Sequence, residues 1–214
     1  MKSIFVAGTD TEVGKSVVTG ALARSLLDAG CRVVTQKWVG TGCSRASNDI
    51  DVHLKVMGRR RRDFRNYLPL MMPYIFKYPA SPHLAARMER RRIDSTRLKE
   101  CLHALSSDFD FVICEGSGGL LVPLGGKVLL IDVVKELGLP VILVAPNRLG
   151  TINHTLLSIE ALRARKIKVI GVIFNNISKG EKKIILKDNL EIIERLSGVK
   201  VLGELPWIDW LKKI

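Results

Sequence analysis

Short runs of apolar, mostly β-branched residues recur along the chain, with stretches of helical character between them. The runs are residues 4–7, 32–36, 109–114, 141–145, 169–174 and 199–202. They lack the strict polar alternation of strands that have one face in water, so each run predicts a strand that is buried on both faces. Such strands are typical of a mostly parallel sheet that is covered by helices on both sides.

Three stretches between these runs carry helical spacing or helix-end signals. Residues 16–29 stop at Gly30, residues 152–165 place apolar side chains at helical intervals, and residues 181–196 alternate Lys and Glu with Ile and Leu before Gly198. The pattern therefore predicts an α/β fold, a single doubly wound domain over residues 1–214. Ligands of such folds bind beyond the carboxyl ends of the strands, so the loops after the strands are the places to look for function.

The loop after the first strand has the composition of a phosphate-binding loop. Residues 8–16 contain Gly8 and, at the start of a predicted helix, Gly14, Lys15 and Ser16. Gly14 lets the backbone approach a phosphate, Lys15 neutralises its oxygens, and the Ser16 hydroxyl can hold Mg²⁺. Five residues separate the glycines, one more than in the general motif, so this is a variant loop. It predicts a fold of the P-loop NTPase type that uses ATP or GTP.

Two further strands end in charged residues that suit phosphoryl transfer. Lys37 follows the second strand and could form a cationic clamp with Lys15, although a solvated loop lysine is an equal alternative. Glu115 follows the third strand, ahead of a glycine-rich turn, at the place of a carboxylate ligand for Mg²⁺. Asp49 and Asp51 lie where a polar loop turns into a short helix, and either could cap that helix or supply a second carboxylate.

The last two loops offer polar groups for other parts of a ligand. The segment after the fourth strand leads into a helix whose free N–H groups can bind an anion such as a carboxylate. Asn175 and Asn176 follow the fifth strand, where their amides could pair with a purine edge or simply form a polar turn.

Charge and cysteine content narrow the class of protein. The 214 residues carry a formal net charge of +13, and about half of that excess lies in residues 59–62 and 90–92. These arginine clusters lack interleaved aromatic residues or a nucleic-acid-binding motif, so we interpret them as solvated surface and expect neither a nucleic-acid nor a membrane partner. The four cysteines are widely spaced and there is no signal-peptide pattern, which predicts free thiols in a cytoplasmic protein.

Taken together, the motifs closely resemble those of the dethiobiotin synthetase family of biotin biosynthesis. The matching positions are residues 8–16, Lys37 with residues 40–42, residues 81–83, residues 115–119 with Pro123 and Leu124, residues 149–154, Asn175 with Asn176, and residues 202–206. The resemblance implies ATP- and Mg²⁺-dependent closure of 7,8-diaminopelargonic acid with CO₂, giving dethiobiotin, ADP and phosphate. It also implies a carbamate and a carbamic-phosphoric anhydride as intermediates, and a homodimer with the active site at its interface.

The resemblance also assigns roles to individual positions. The implied catalytic residues are Lys15, Lys37, Thr11 and Glu12. Those implied for the nucleotide are Glu12, Val13, Gly14, Lys15, Ser16, Val17, Glu115, Gly118, Asn175, Asn176 and Pro206. Those implied for the substrate are Thr11, Lys37, Thr41, Leu149, Gly150, Thr151, Ile152 and Asn153, of which the last five would bind the substrate carboxylate across the interface. The implied metal ligands are Ser16, Asp51 and Glu115, with Asp49 as an alternative to Asp51.

Two other functions fit a P-loop on this kind of sheet. A partitioning or scaffold ATPase would give the basic surface a DNA or membrane partner, but its signature lysine, five positions before the P-loop lysine, is Asp10 here. An amidoligase core of the corrin-pathway type would usually be followed by a glutamine amidotransferase domain, for which no length or Cys/His module remains. The sequence therefore favours the synthetase.

Overall fold

The computed structural model describes residues 2–43, 48–176 and 180–207. Its helices are α1 (Lys15–Asp28), α2 (Asn48–Met57), α3 (Leu68–Met71), α4 (Pro82–Met88), α5 (Ser95–Asp108), α6 (Leu130–Glu136), α7 (Thr151–Ala164) and α8 (Lys183–Ser197), with a 3₁₀ helix at Arg61–Phe64. Its strands are β1 (Lys2–Gly8), β2 (Val33–Lys37), β3 (Val39–Gly40), β4 (Tyr74–Ile75), β5 (Phe111–Gly119), β6 (Pro123–Gly125), β7 (Val128–Leu129), β8 (Val141–Pro146), β9 (Val169–Asn175) and β10 (Val201–Leu205).

The six longer strands form one sheet in the order β10-β9-β8-β1-β5-β2, and every neighbouring pair is parallel. This confirms the predicted doubly wound α/β fold. The other strands form two small pairs, β3 with β4 in parallel and β6 with β7 as an antiparallel hairpin. Strand β1 lies between β5 and β8, where the winding of the chain reverses, and a ligand site is expected at that point of the sheet.

The core fills both sides of the sheet as one continuous cluster of buried side chains. Strands β2 and β8 are buried along their whole length, as expected for strands that are covered on both faces. Trp38 is fully buried and packs against β1, with its ring centroid 4.6 Å from that of Phe5. No helix in the described part of the chain is long and apolar enough to cross a membrane.

The register of the central strands brings the predicted functional residues to one edge of the sheet. Lys37 at the end of β2 pairs with Glu115 in β5, and Glu115 pairs on its other side with Val6 of β1. Beyond Val6, strand β1 ends at Gly8 and the chain enters the loop that leads to α1. The loops that follow β1, β2 and β5 therefore begin at the same end of the sheet.

Candidate active site

The loop between β1 and α1 begins the helix on a glycine. Gly14 is the N-cap residue and has φ 92°, a left-handed conformation that is strained for other residues. A Cβ atom at Gly14 would lie 1.9 Å from Asn175 Nδ2, so the available space requires glycine as well. Among the described residues no side chain caps α1, which leaves the N–H groups of its first turn available to an anion such as a phosphate.

Lys15 lies in the first turn of α1 and folds back over the loop. Its Nζ donates a hydrogen bond to the Asp10 carbonyl oxygen over 2.7 Å, and the side chain is almost fully buried. Burial and the nearby positive charge of Lys37 lower the pKa of Lys15 to about 8. Two cations thus lie close enough to repel each other, an arrangement that an anion between them would relieve.

Next to Lys15, a hydroxyl, two carboxylates and a second lysine converge. Ser16 Oγ lies 2.7 Å from Asp49 Oδ1 and 3.0 Å from Glu115 Oε1. Lys37 Nζ lies 2.7 Å from Glu115 Oε1 and 3.0 Å from Asp49 Oδ2, and it also donates to the Gly116 carbonyl oxygen at 3.1 Å. The oxygens of three chain segments, α1, α2 and β5, therefore point at one small volume.

The ionisation of this cluster is set by competition between burial and charge. Burial disfavours the charged form of Glu115, but the positive charge of Lys37 and the hydrogen bonds from Lys37 and His53 outweigh it, so the pKa of Glu115 falls well below its usual range. Burial likewise disfavours the ammonium of Lys37, yet the carboxylates of Glu115 and Asp49 raise the pKa of Lys37. Both groups are therefore charged at neutral pH, and each compensates the charge of the other where both are buried.

The expectation that Asp51 points into this site is wrong. Its carboxylate is exposed and forms a two-bond ion pair with Arg61, with Oδ1 2.6 Å from Nε and Oδ2 2.8 Å from Nη2. Asp49, on the other side of α2, contacts Ser16 and Lys37 instead. The second carboxylate of the site is therefore that of Asp49, which the sequence offered only as the alternative.

His53 belongs to the site although the sequence did not assign it. It is fully buried on α2, one turn after Asp49, and its Nε2 lies 2.5 Å from Glu115 Oε2. The signal was present in the sequence, because residues four apart on a helix share a face and Asp49 was already a candidate. The partner of His53, Glu115, lies 62 residues further along the chain, so no local signal connects the two residues.

The two amides at the end of β9, Asn175 and Asn176, have different surroundings. Asn175 is buried and its Nδ2 donates to the Val13 carbonyl oxygen at 3.1 Å, so that nitrogen holds the phosphate loop rather than facing a base. Asn176 Oδ1 is buried and has no hydrogen-bond partner among the described residues, and Pro206 is exposed one residue beyond β10. The assignment of Asn176 to the nucleotide therefore stays a prediction.

A cleft of about 580 Å³ opens over the cluster. The predicted residues that line it are Thr11, Glu12, Gly14, Lys15, Ser16, Val17, Lys37, Thr41, Glu115 and Gly118. Glu12 has φ 55°, in the left-handed region, and its side chain is exposed. The structure thus brings together the residues predicted around the triphosphate and the reacting amines, in a space large enough for a small organic substrate.

The residues predicted to bind the substrate carboxylate lie outside this cleft. Leu149, Gly150, Thr151, Ile152 and Asn153 form the start of α7, where Gly150 is the N-cap residue with φ 89° and Leu149 is 76% exposed. Thr151 is buried, with its hydroxyl 3.4 Å from that of Thr155. A second cleft, of about 450 Å³, lies between α7 and the phosphate loop. Within one chain the two groups of predicted substrate residues are therefore not in one pocket.

Comparison with known proteins decides the family. A family model described as an AAA domain matches residues 2–214. An ATP-dependent dethiobiotin synthetase from Haemophilus influenzae is 40% identical over 188 residues, which cover 88% of this chain and 98% of that protein. One from Chlorobaculum tepidum is 41% identical over 206 residues, or 96% of this chain and 85% of that protein. The chain belongs to the dethiobiotin synthetase family.

Solved structures show how widely the fold of this dethiobiotin synthetase family member is shared. A MinC:MinD cell division complex from Aquifex aeolicus superposes with a TM-score of 0.62 at 15% identity, covering 100% of this chain and 84% of that one. A ParA family ATPase from Chlorobium tepidum gives a TM-score of 0.57 at 14% identity, covering 98% and 86%. At this level of identity the likeness concerns the fold alone, which is that of P-loop NTPases.

The oxygen set of this family member suits magnesium. Among the described residues no three or more His, Cys, Asp or Glu side chains form a metal site by themselves. Ser16, Asp49 and Glu115 supply a hydroxyl and two carboxylates, which are hard oxygen donors. Mg²⁺ in ATP-using enzymes is held by one or two carboxylates, with phosphate oxygens and water in the remaining positions. The residues present therefore fit this ion.

Proposed function

We propose that this protein closes 7,8-diaminopelargonic acid with CO₂ to form dethiobiotin, using one ATP and Mg²⁺. The observation that carries the proposal is the match, at about 40% identity over most of both chains, to proteins named ATP-dependent dethiobiotin synthetase. The site supports it, because a phosphate loop, two lysines and two carboxylates meet in one cleft. We also propose that the whole chain forms a single catalytic domain.

The proposed chemistry has three steps. One amine of the substrate adds to CO₂ and loses a proton, which gives a carbamate. The carbamate oxygen then attacks the γ-phosphorus of ATP, ADP leaves, and a carbamic-phosphoric anhydride forms. The second amine attacks the carbamate carbon, phosphate leaves with the C–O electron pair, and the five-membered urea ring closes with loss of a second proton.

The lysines address the main electrostatic problem of this reaction. An anionic carbamate must approach an anionic γ-phosphate, and a cation placed between them lowers the barrier. Lys15 is held over the phosphate loop, and Lys37 is held at the same cleft by Glu115 and Asp49. We propose that Lys37 exchanges these carboxylate partners for the carbamate and phosphate oxygens when substrates bind. The N–H groups of the first turn of α1 bind the other phosphate oxygens.

The metal ligands in this proposal are Ser16, Asp49 and Glu115, with Asp49 in place of Asp51. When bound, Mg²⁺ supplies positive charge to the β- and γ-phosphate oxygens. The chain holds Glu115 ready in the ionised state, because Lys37 compensates its charge in the absence of the ion.

The diamine is proposed to lie between the phosphate loop and the segment after β2. Thr11, Glu12 and Thr41 line the cleft, where their side-chain oxygens can accept hydrogen bonds from the amines. The substrate carboxylate would bind to the α7 N-terminus of a second copy of the chain. Two features support this arrangement: no described side chain caps α7, and Leu149 next to its start is a large apolar residue in water.

The proposal is tested by measuring ADP release and dethiobiotin formation with ATP, Mg²⁺, the diamine and bicarbonate. We expect one ADP for each dethiobiotin, and no ADP above background when the diamine or bicarbonate is omitted. Lys37→Ala should lower kcat by about two to three orders of magnitude, the usual loss for a charge aimed at a transition state. Circular dichroism must show that this variant is folded. ADP release at the full rate without the diamine would refute the proposal.

A further inference from the structure

Helix α2 brings two side chains to the site from one face. Asp49 reaches Ser16 and Lys37, and His53, four residues later, reaches Glu115. On an α-helix, residues at this spacing lie one above the other. Helix α2 thus supplies one carboxylate of the site, that of Asp49, and contacts the other, that of Glu115, through His53.

Packing alone does not explain a histidine at position 53. The ring is fully buried, and its Nδ1 has no hydrogen-bond partner among the described residues. A buried polar atom without a partner is destabilising, so an apolar side chain of similar size would suit the fold better. The compensating feature is the bond at the other nitrogen. Because the Glu115 carboxylate can only accept, the proton of that bond is on His53 Nε2.

The contact restrains a carboxylate that could otherwise turn. Lys37 and Ser16 both approach Glu115 through Oε1, and His53 is the residue on Oε2. The terminal torsion of a glutamate has broad, shallow preferences, so contacts to one oxygen alone would leave the carboxyl plane loosely fixed. With partners on both oxygens, Oε1 stays directed at Ser16 and Lys37.

The position of the histidine is itself fixed by a close crossing of two helices. A Cβ atom on Gly20 of α1 would lie 2.7 Å from Val56 Cβ and 3.2 Å from the His53 Cα atom. Neither of these is the flexible end of a side chain, so α2 can lie this near to α1 only because residue 20 is glycine. The helix that carries His53 therefore packs against α1 at close backbone distance, which sets the height of His53 beside Glu115.

We propose that His53 is a positioning residue that orients Glu115 for binding of the magnesium–nucleotide complex. The inference rests on the proposed function in one respect, namely that Glu115 is a magnesium ligand. It goes further in giving this ligand a second partner that fixes its direction. Such outer partners of metal ligands commonly change metal affinity by one to two orders of magnitude when they are removed.

The test measures nucleotide binding without turnover. Binding of a non-hydrolysable ATP analogue, AMP-PNP, is followed by calorimetry at increasing Mg²⁺, together with Tm. His53→Leu removes the donor, whereas His53→Gln keeps a nitrogen donor near the position of Nε2. We expect His53→Leu to raise the Mg²⁺ concentration for half-maximal binding about tenfold, and His53→Gln to stay within about threefold of wild type. Binding in EDTA should be the same for all three proteins.

Leu54→Ala provides the matched control, because Leu54 is buried on the same helix and is next to His53 in the chain. It should lower Tm and leave the Mg²⁺ midpoint within about twofold, since it removes packing without touching Glu115. If His53→Leu does not fold, His53→Met takes its place as the variant without a donor.

Three results would overturn the inference while leaving the proposed function intact: a donorless variant with the wild-type midpoint, equal losses in His53→Gln and His53→Leu, or an equal shift in Leu54→Ala. If AMP-PNP bound to the wild type equally well at every Mg²⁺ concentration, the metal part of the proposed function would be contradicted, and the inference with it.

Discussion

At the scale of single residues, Asp49 and Asp51 show how helix geometry decides between neighbours. Successive residues of an α-helix are about 100° apart, so two residues separated by one position are about 200° apart. The buried residues of α2 are Ile50, His53, Leu54 and Met57, and the two aspartates flank this buried stripe on opposite sides. Their type and surroundings are almost equal in sequence, yet one faces Ser16 and the other faces Arg61.

This pair gives a matched prediction. Asp49→Asn should raise the Mg²⁺ concentration for half-maximal ADP release by at least about tenfold, because it removes a charge from the site. Asp51→Asn should leave it within about twofold and should cost about 1 kcal/mol of stability at most, the usual scale for an exposed ion pair. Magnesium titrations of the two variants under identical conditions provide the measurement. The reverse ranking would return the ligand to Asp51.

The choice between the aspartates could not have been made from composition or apolar spacing. Both residues lie equally far from the centre of the buried stripe, so the period of the helix does not distinguish them. His53 lies on the Asp49 side of that stripe, and this asymmetry is the only local clue. Using it requires knowing that Glu115 receives the histidine, which depends on how α2 crosses α1.

At the scale of elements, the α1–α2 crossing at Gly20 is the contact on which the site depends. Gly20→Ala tests it. In open space this change would stabilise the helix by about 1 kcal/mol, because alanine has the higher helix propensity. Here the new Cβ would be 2.7 Å from Val56 Cβ, so we expect a net loss of about 1–3 kcal/mol, as for overpacking. Urea denaturation measures the change.

Gly203→Ala is the control for this substitution. Gly203 lies in the edge strand β10, and a Cβ atom there would have nothing within 4 Å. The same chemical change should therefore be neutral or slightly stabilising. A Gly20→Ala variant as stable as Gly203→Ala would show that the helices do not need their close approach.

The strands were predictable from sequence to a larger extent than the other elements. Six apolar runs correspond to the six strands of the central sheet, because a strand buried on both faces leaves an unbroken apolar signal. The ends were less accurate: the third strand extends to Gly119, past the predicted Cys114, since glycines carry no apolar signal. The pairs β3–β4 and β6–β7 were not predicted, because strands of two or three residues have no period to detect.

The site was predictable where one motif contains it and unpredictable where distant segments meet. The composition of residues 8–16 is by itself enough to predict a phosphate loop. The placement of Lys37 beside Glu115 follows from strand register, which the sequence prediction did not specify. The second role of Asn175, as a support for Val13, depends on a contact between residues 162 positions apart, for which no local signal exists.

At the scale of the whole molecule, the excess of positive charge is the feature without a role in the proposed reaction. Arg59, Arg60, Arg62, Arg90 and Arg92 are exposed. The remaining arginines of the two clusters have structural contacts, since Arg61 pairs with Asp51 and Arg91 lies 4.8 Å over the Phe76 ring. The interpretation as solvated surface therefore applies to five of these seven residues.

Changing those five arginines to glutamine should leave kcat/KM within about twofold at 0.15 M salt, because charges outside the cleft are screened over a Debye length of about 8 Å. Steady-state assays at low and moderate salt provide the measurement. A variant with Arg61 and Arg91 also changed separates their structural contribution, which should appear in Tm. The wild type could instead bind duplex DNA tightly, with a steep dependence on salt, and lose that binding when the five arginines are changed. That result would show a partner that the site does not explain.

The place of β1 in the sheet has a consequence for how the chain folds as it is made. Lys2 pairs with Phe111 and Phe5 pairs with Val141, so the strand that leads into the phosphate loop has neighbours that are translated much later. Contacts between such distant segments form slowly, and an unpaired apolar strand can associate with other chains in the meantime. The nascent protein therefore carries β1 without its partners until β5 and β8 have left the ribosome. The phosphate loop is encoded early in the chain, but it reaches its place in the sheet only after these later strands have been made.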